Sequence, residues 1–128
     1  MSTENTVTTV KGREKFAKAH AGLIVLPPIT QIGFGNGGID ATGIPTMPDD
    51  TSIEVSGEFL KKDIESASFL APAVNAVIGI LDFAEGNGED VSAVGLYDAE
   101  NDLVAMKHFA AKPKDSETRI EINWNEKF

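Results

Sequence analysis

Hydrophobic and polar residues alternate most strictly near the end of the chain. In "RIEINWNEKF", Ile120, Ile122 and Trp124 fall on one side, and Arg119, Glu121, Asn123 and Asn125 on the other. A period of two predicts a strand with one buried face. "VSAVGLYDAENDLVAMKHF" carries two apolar runs about a polar tip, Asp98 to Asp102. That pattern predicts a β-hairpin with a loop of about four or five residues. "AVNAVIGILDF" is apolar on both alternations, Ala76-Ile78-Ile80 and Val77-Leu81-Phe83. A strand of that kind is covered on both faces or lies at a subunit contact.

Upstream the pattern weakens. Ile29 to Phe34 predicts a strand, with Leu23 to Leu26 a short extended piece stopped by Pro27 and Pro28. Ile53, Val55, Gly57 and Phe59 share one strand face, and Phe59 to Phe69 would continue as an edge strand guarded by Lys61 and Lys62. Residues 35 to 50 hold four glycines and two prolines and predict irregular backbone whose glycines need positive φ. The helical pattern is "VKGREKFAKAHAG". Thr8 or Thr9 caps its start, Lys15, Lys18 and His20 approach its negative end, and Gly22 terminates it. Its apolar face is thin, mainly Val10, Phe16, Ala17 and Ala21, so it needs a surface to pack on.

The expected fold is mainly β with a minor helical part: an N-terminal helix followed by a small antiparallel β-sandwich or curled sheet. At 128 residues the chain makes one domain, residues 10–128, behind a loose polar terminus, residues 1–9.

Charge and composition narrow the partners. A net charge of −9 repels phosphates, so nucleic acid and anionic membrane surfaces are poor partners. The absence of cysteine removes disulfides, zinc thiolate sites and thiol catalysis, and fits a reducing cytoplasm. No basic start with an apolar run marks a signal peptide, and no stretch approaches the roughly 20 apolar residues of a membrane span.

Three patterns invite a chemical reading. "GFGNGG" has the G-x-G-x-x-G spacing of a dinucleotide fingerprint, with Glu54 about 20 positions on. The last glycine would have to open a helix, and Pro45 and Pro48 forbid a long one. His20 and His108 lie apart, without metal-ligand spacing, and read as structural or surface residues. Asp98, Glu100 and Asp102 alternate as in a calcium loop, but Leu103 and Phe109 replace the glycine and glutamate that should follow. Glu85, Glu89 and Asp90 in "EGNGED" form a second acidic turn. No nucleophile elbow is present, and no catalytic residue, cofactor or metal ligand is assigned.

The order of these elements resembles the N-terminal, baseplate-attaching domain of bacteriophage tail fibre proteins and their relatives in phage-tail-like bacteriocins. In that family a helix leads to an "ITxIxxGxG" strand and loop, matched here by Ile29, Thr30, Ile32, Gly35 and Gly37. A "T-x-L-x-x-E" stretch is matched by Thr51, Ile53 and, with slippage, Glu58. An "I-x-E-I-G-L-F/Y-D-x-x-G-x-L-I/V-A" hairpin is matched by Val94 to Asp98 and Leu103 to Ala105. The resemblance spans roughly residues 10 to 125.

It implies a structural role in the virion tail or baseplate, assembled in the bacterial host cytoplasm, with no enzymatic activity and no cofactor. It also implies tail and baseplate proteins as partners and a homo-oligomer, a trimer by analogy with fibres. A fibre continues into a shaft and receptor-binding tip. A chain stopping at Phe128 is expected to be an adaptor or a baseplate component. Phe16, Val77, Ile78, Phe83 and Trp124 are the expected subunit or partner contacts, and a basic helix with Arg13, Lys15 and Lys18 would dock on an acidic surface. The alternative is a small non-catalytic module binding a ligand, a carbohydrate or calcium.

Overall fold

The computed structural model describes residues 5–128. The fold is mainly β, with one helix and two antiparallel sheets that do not close into a barrel. In chain order the elements are β1 (Thr6–Thr8), α1 (Val10–His20), β2 (Ile29–Gly35), β3 (Glu58–Asp63), β4 (Ser66–Ala71), β5 (Val74–Leu81), β6 (Asp90–Asp98), β7 (Leu103–Pro113) and β8 (Ile120–Lys127). The larger sheet has the order β1-β7-β6-β2-β3 and the smaller β4-β5-β8.

The alternation in β8 lands as expected: Ile120, Ile122 and Trp124 are buried and the intervening residues exposed. They meet Val77 and Leu81 of β5, and together pack on Ile32, Phe34, Val94 and Leu96 of the larger sheet. This inter-sheet layer is the main core. The β6–β7 hairpin turns through residues 99–102 and is buried on both faces, because the larger sheet is covered twice. The smaller sheet covers one face. On the other, Ala93, Tyr97, Leu103 and Met106 form a second cluster under Val55, delivered by the long loop 36–57. The Tyr97 hydroxyl fixes that loop, accepting from the Val55 amide at 3.0 Å and donating to Glu58 Oε1 at 2.7 Å.

Several expectations need correction. Residues 53–57 are bend and turn, not strand, and Ile53 is exposed. The single edge strand expected from Phe59 to Phe69 is two strands in different sheets. The chain switches sheets at one corner: the Ile64 amide donates to Thr30 O and the next amide, Glu65, to Ile78 O. Local alternation carries no signal for such a switch. The short extended piece expected at Leu23 to Leu26 begins with a bend at residues 23 and 24 and joins no sheet. Residues 6–8 pair with β7 and Thr9 is buried, so this part of the terminus is not loose; residues 1–4 lie outside the described residues. The glycine run needs close approach rather than positive φ. A side chain at Gly35 or Gly38 would strike the carbonyls of Ser56 or Ser92, and within residues 35–50 only Gly43 has positive φ.

The helix is built as its caps dictate. Thr9 Oγ1 accepts the Gly12 amide at 3.0 Å and donates to the Leu103 carbonyl at 2.6 Å, so one hydroxyl starts the helix and ties it to β7. Gly22, at φ +78°, ends it with the paired Gly22→Ala19 and Leu23→Lys18 bonds of a Schellman motif. Its buried face is not the expected one. Gly12 and Lys15 turn inward, while Val10 and Ala17 are exposed.

Candidate functional site

A cleft of about 280 Å³ opens where the space between the sheets runs past the core and meets α1. Register explains its position. On the inward face of the smaller sheet, Ala67, Val77 and Trp124 form one cross-strand row, and Phe69, Asn75 and Glu126 the next. The first row is floored by core. The second lies at the open end, and the cleft is walled by Phe16, Leu26, Phe69, Val77 and Phe128. The Phe16 and Phe128 rings meet edge to face, centroids 6.0 Å apart at 89°. A smaller cavity of about 140 Å³ continues beneath them towards Trp124 and shares Glu126 with the cleft.

Lys15 closes one side. Its ammonium donates to Asp98 Oδ2 at 2.7 Å, Asp102 Oδ2 at 2.6 Å and Glu100 Oε1 at 3.1 Å. Asp98 is nearly fully buried, and its other oxygen accepts the amides of Glu100 and Asp102 at the hairpin turn. Burial disfavours the Lys15 charge, but the bonds to Asp102, Asp98 and Glu100 outweigh it, and its pKa lies above the ordinary lysine value. The three alternating carboxylates that suggested a calcium loop therefore surround the chain's own cation. Among the described residues no cluster of histidine and carboxylate groups is arranged to hold a metal ion.

Glu126 differs. It borders both cavities and forms no ion pair among the described residues. Burial pushes its carboxyl above the ordinary range, partly offset by a hydrogen bond with Asn75.

A second polar cluster joins the long loop to β7. His108 Nδ1 sits 2.9 Å from the Thr46 carbonyl, which can only accept, so Nδ1 carries the proton. Nε2 then accepts from the Ser56 hydroxyl at 2.9 Å. Burial holds the His108 pKa below the ordinary value, the Thr46 bond opposing it. Serine and imidazole are in hydrogen-bond contact, but neither residue lines the cleft, and a backbone carbonyl stands where a carboxylate would stabilise an imidazolium. The geometry suits a clasp.

Of the expected contact residues, Phe16 and Val77 line the cleft and Trp124 the adjoining cavity. Val77 and Trp124 are buried in the chain's own core, where they also border the two cavities. Ile78 projects from the opposite face of β5 and is half-buried, while Phe83 lies half-exposed in the following loop. On the basic helix Lys15 points inward and is not available at the surface, while Arg13 pairs with Asp50 at 3.0 Å and Lys18 with Glu14 at 2.9 Å. Glu126, Phe69 and Phe128 were missed. Glu126 continues the inward alternation of Ile120, Ile122 and Trp124, so the period of two already points it inward, but its polar type ends the apolar pattern. Comparisons with protein-family models, curated proteins and solved structures find no match to this chain.

Proposed function

We propose that this chain is a structural subunit of a phage tail or phage-tail-like particle, acting as a baseplate or tail-fibre attachment module or adaptor. The observation that carries the reading is the convergence of uncovered apolar residues. Leu26, Phe69 and Phe128 come from three distant parts of the chain, are each substantially exposed, and meet at one cleft. Val25 and Leu70 stand exposed in the same segments as Leu26 and Phe69. Contiguous apolar surface of this kind marks a place where another molecule is to be seated. The resemblance supplies the kind of assembly, and its motif residues fall on β2, β3, β6, β7 and the loop between β2 and β3.

The role requires no catalysis, and the virion tail is its location. Neighbouring tail proteins and further copies of the chain are its partners. Multi-angle light scattering on the full chain tests self-association, a trimer being the expected state and a strict monomer at high concentration the adverse one. A fluorophosphonate probe tests the absence of catalysis: Ser56 should remain unlabelled, and stoichiometric labelling lost in Ser56→Ala would contradict the reading. The cleft itself favours a second reading, a ligand-binding β module, which predicts a monomer that is absent from tail particles.

A further inference from the structure

We propose that the cleft receives a lysine side chain carried by a partner protein, its aliphatic stem lying between Phe16, Leu26, Phe69 and Phe128 and its ammonium reaching Glu126. The walls are apolar and the polar end is a carboxylate, the complement of a long stem with a charged head. Charge complementarity is specific. Lys15 on one side is already shared by Asp98, Glu100 and Asp102. Lys127 borders the smaller cavity but not the cleft, and Glu126 is the cleft carboxylate without an ionic partner among the described residues.

A carboxylate held in an apolar recess with only an amide neighbour is under-compensated, and an entering cation would relieve it. Asn75 contributes one hydrogen bond and leaves acceptor capacity for an ammonium. A flexible four-carbon stem ending in a compact charge matches apolar walls with one carboxyl at the polar end. The perpendicular Phe16 and Phe128 rings add aromatic surface on which a cation is favoured. A second copy of this chain fits less well, since each carries a net charge of −9. The choice of a protein-borne lysine over a free amine rests on the assembly role proposed above.

The test is an NMR titration of the full chain with Nα-acetyl-lysine N-methylamide, with capped norleucine as the isostere lacking the ammonium and n-pentylamine as a free amine. Resonances of Phe16, Phe128 and the Trp124 indole report on the cleft. The capped lysine should shift them with about tenfold higher affinity than norleucine, the scale of one charge-assisted contact. Glu126→Gln should bring lysine down to the norleucine level and leave norleucine unchanged. Equal binding of lysine and norleucine to the unaltered chain would overturn the proposal without any variant, as would undiminished lysine preference in Glu126→Gln. Binding of n-pentylamine with exclusion of capped lysine would also overturn it. Incorporation into tail particles is measured separately, so failure of the lysine site and failure of the assembly role are distinguishable.

Discussion

Replacing Lys15 by methionine isolates what anchors the helix. The lysine side chain is 9% exposed and that of its partner Asp98 is 1% exposed. Glu100 is 63% exposed, so its contact with Lys15 is screened and worth no more than about 0.5 kcal/mol. Asp102 lies between these limits. Removing one partner of a buried pair costs about 3–5 kcal/mol, because the remaining charge is stranded. Asp98 keeps two backbone amide bonds in the variant, which places the loss near the lower end, about 3 kcal/mol. For a domain of this size that lowers the melting temperature by about 10 °C.

Urea unfolding followed by Trp124, the chain's one tryptophan, measures it directly. Lys15→Met with Asp98→Asn removes both charges and should recover about 2 kcal/mol of the single-variant loss. Glu100→Gln should change stability by less than about 0.5 kcal/mol. A Lys15→Met loss below about 1 kcal/mol, with no coupling to Asp98, would refute the view that this buried pair is structural.

Three further outcomes follow. Gly12→Ala places a methyl 2.8 Å from the Val104 carbonyl oxygen and 3.1 Å from its Cγ1, and should destabilise the chain by about 1–3 kcal/mol in the same urea assay. Tyr97→Phe strands the buried Val55 amide and should cost about 2 kcal/mol, with faster proteolysis in the 36–57 loop than elsewhere. His108 is held neutral by burial, so below its ordinary pKa of about 6.5 the unfolded chain binds a proton that the native chain resists. Stability should therefore fall as pH drops from about 7 towards 5, and His108→Gln should flatten that slope while leaving the acid loss due to carboxylates at lower pH.

Much of the frame was legible because its signals are local. The period of two in β8, the polar tip between β6 and β7, and the Thr9 and Gly22 caps each act within a few residues. What escaped depends on distant partners. The corner at Ile64 and Glu65 exists because two amides find carbonyls in different sheets. Lys15 reads as a solvated helix charge until the hairpin turn closes over it. The apolar character on both sides of β6 reflects a loop, delivered by Val55, that no periodicity announces. Phe16, Val77 and Trp124 stand out as apolar positions in the local patterns, but that they border the cleft and its adjoining cavity with Glu126 and Phe128 depends on the register of β8 with β5.

The assembly role is tested most directly in purified tail particles from cells that make this chain, by quantitative mass spectrometry with cross-linking. The chain should co-purify at a fixed ratio to the baseplate proteins, with cross-links from residues bordering the cleft to one particular neighbour. Recovery of the chain only in the free soluble fraction, with none in intact particles, would contradict it.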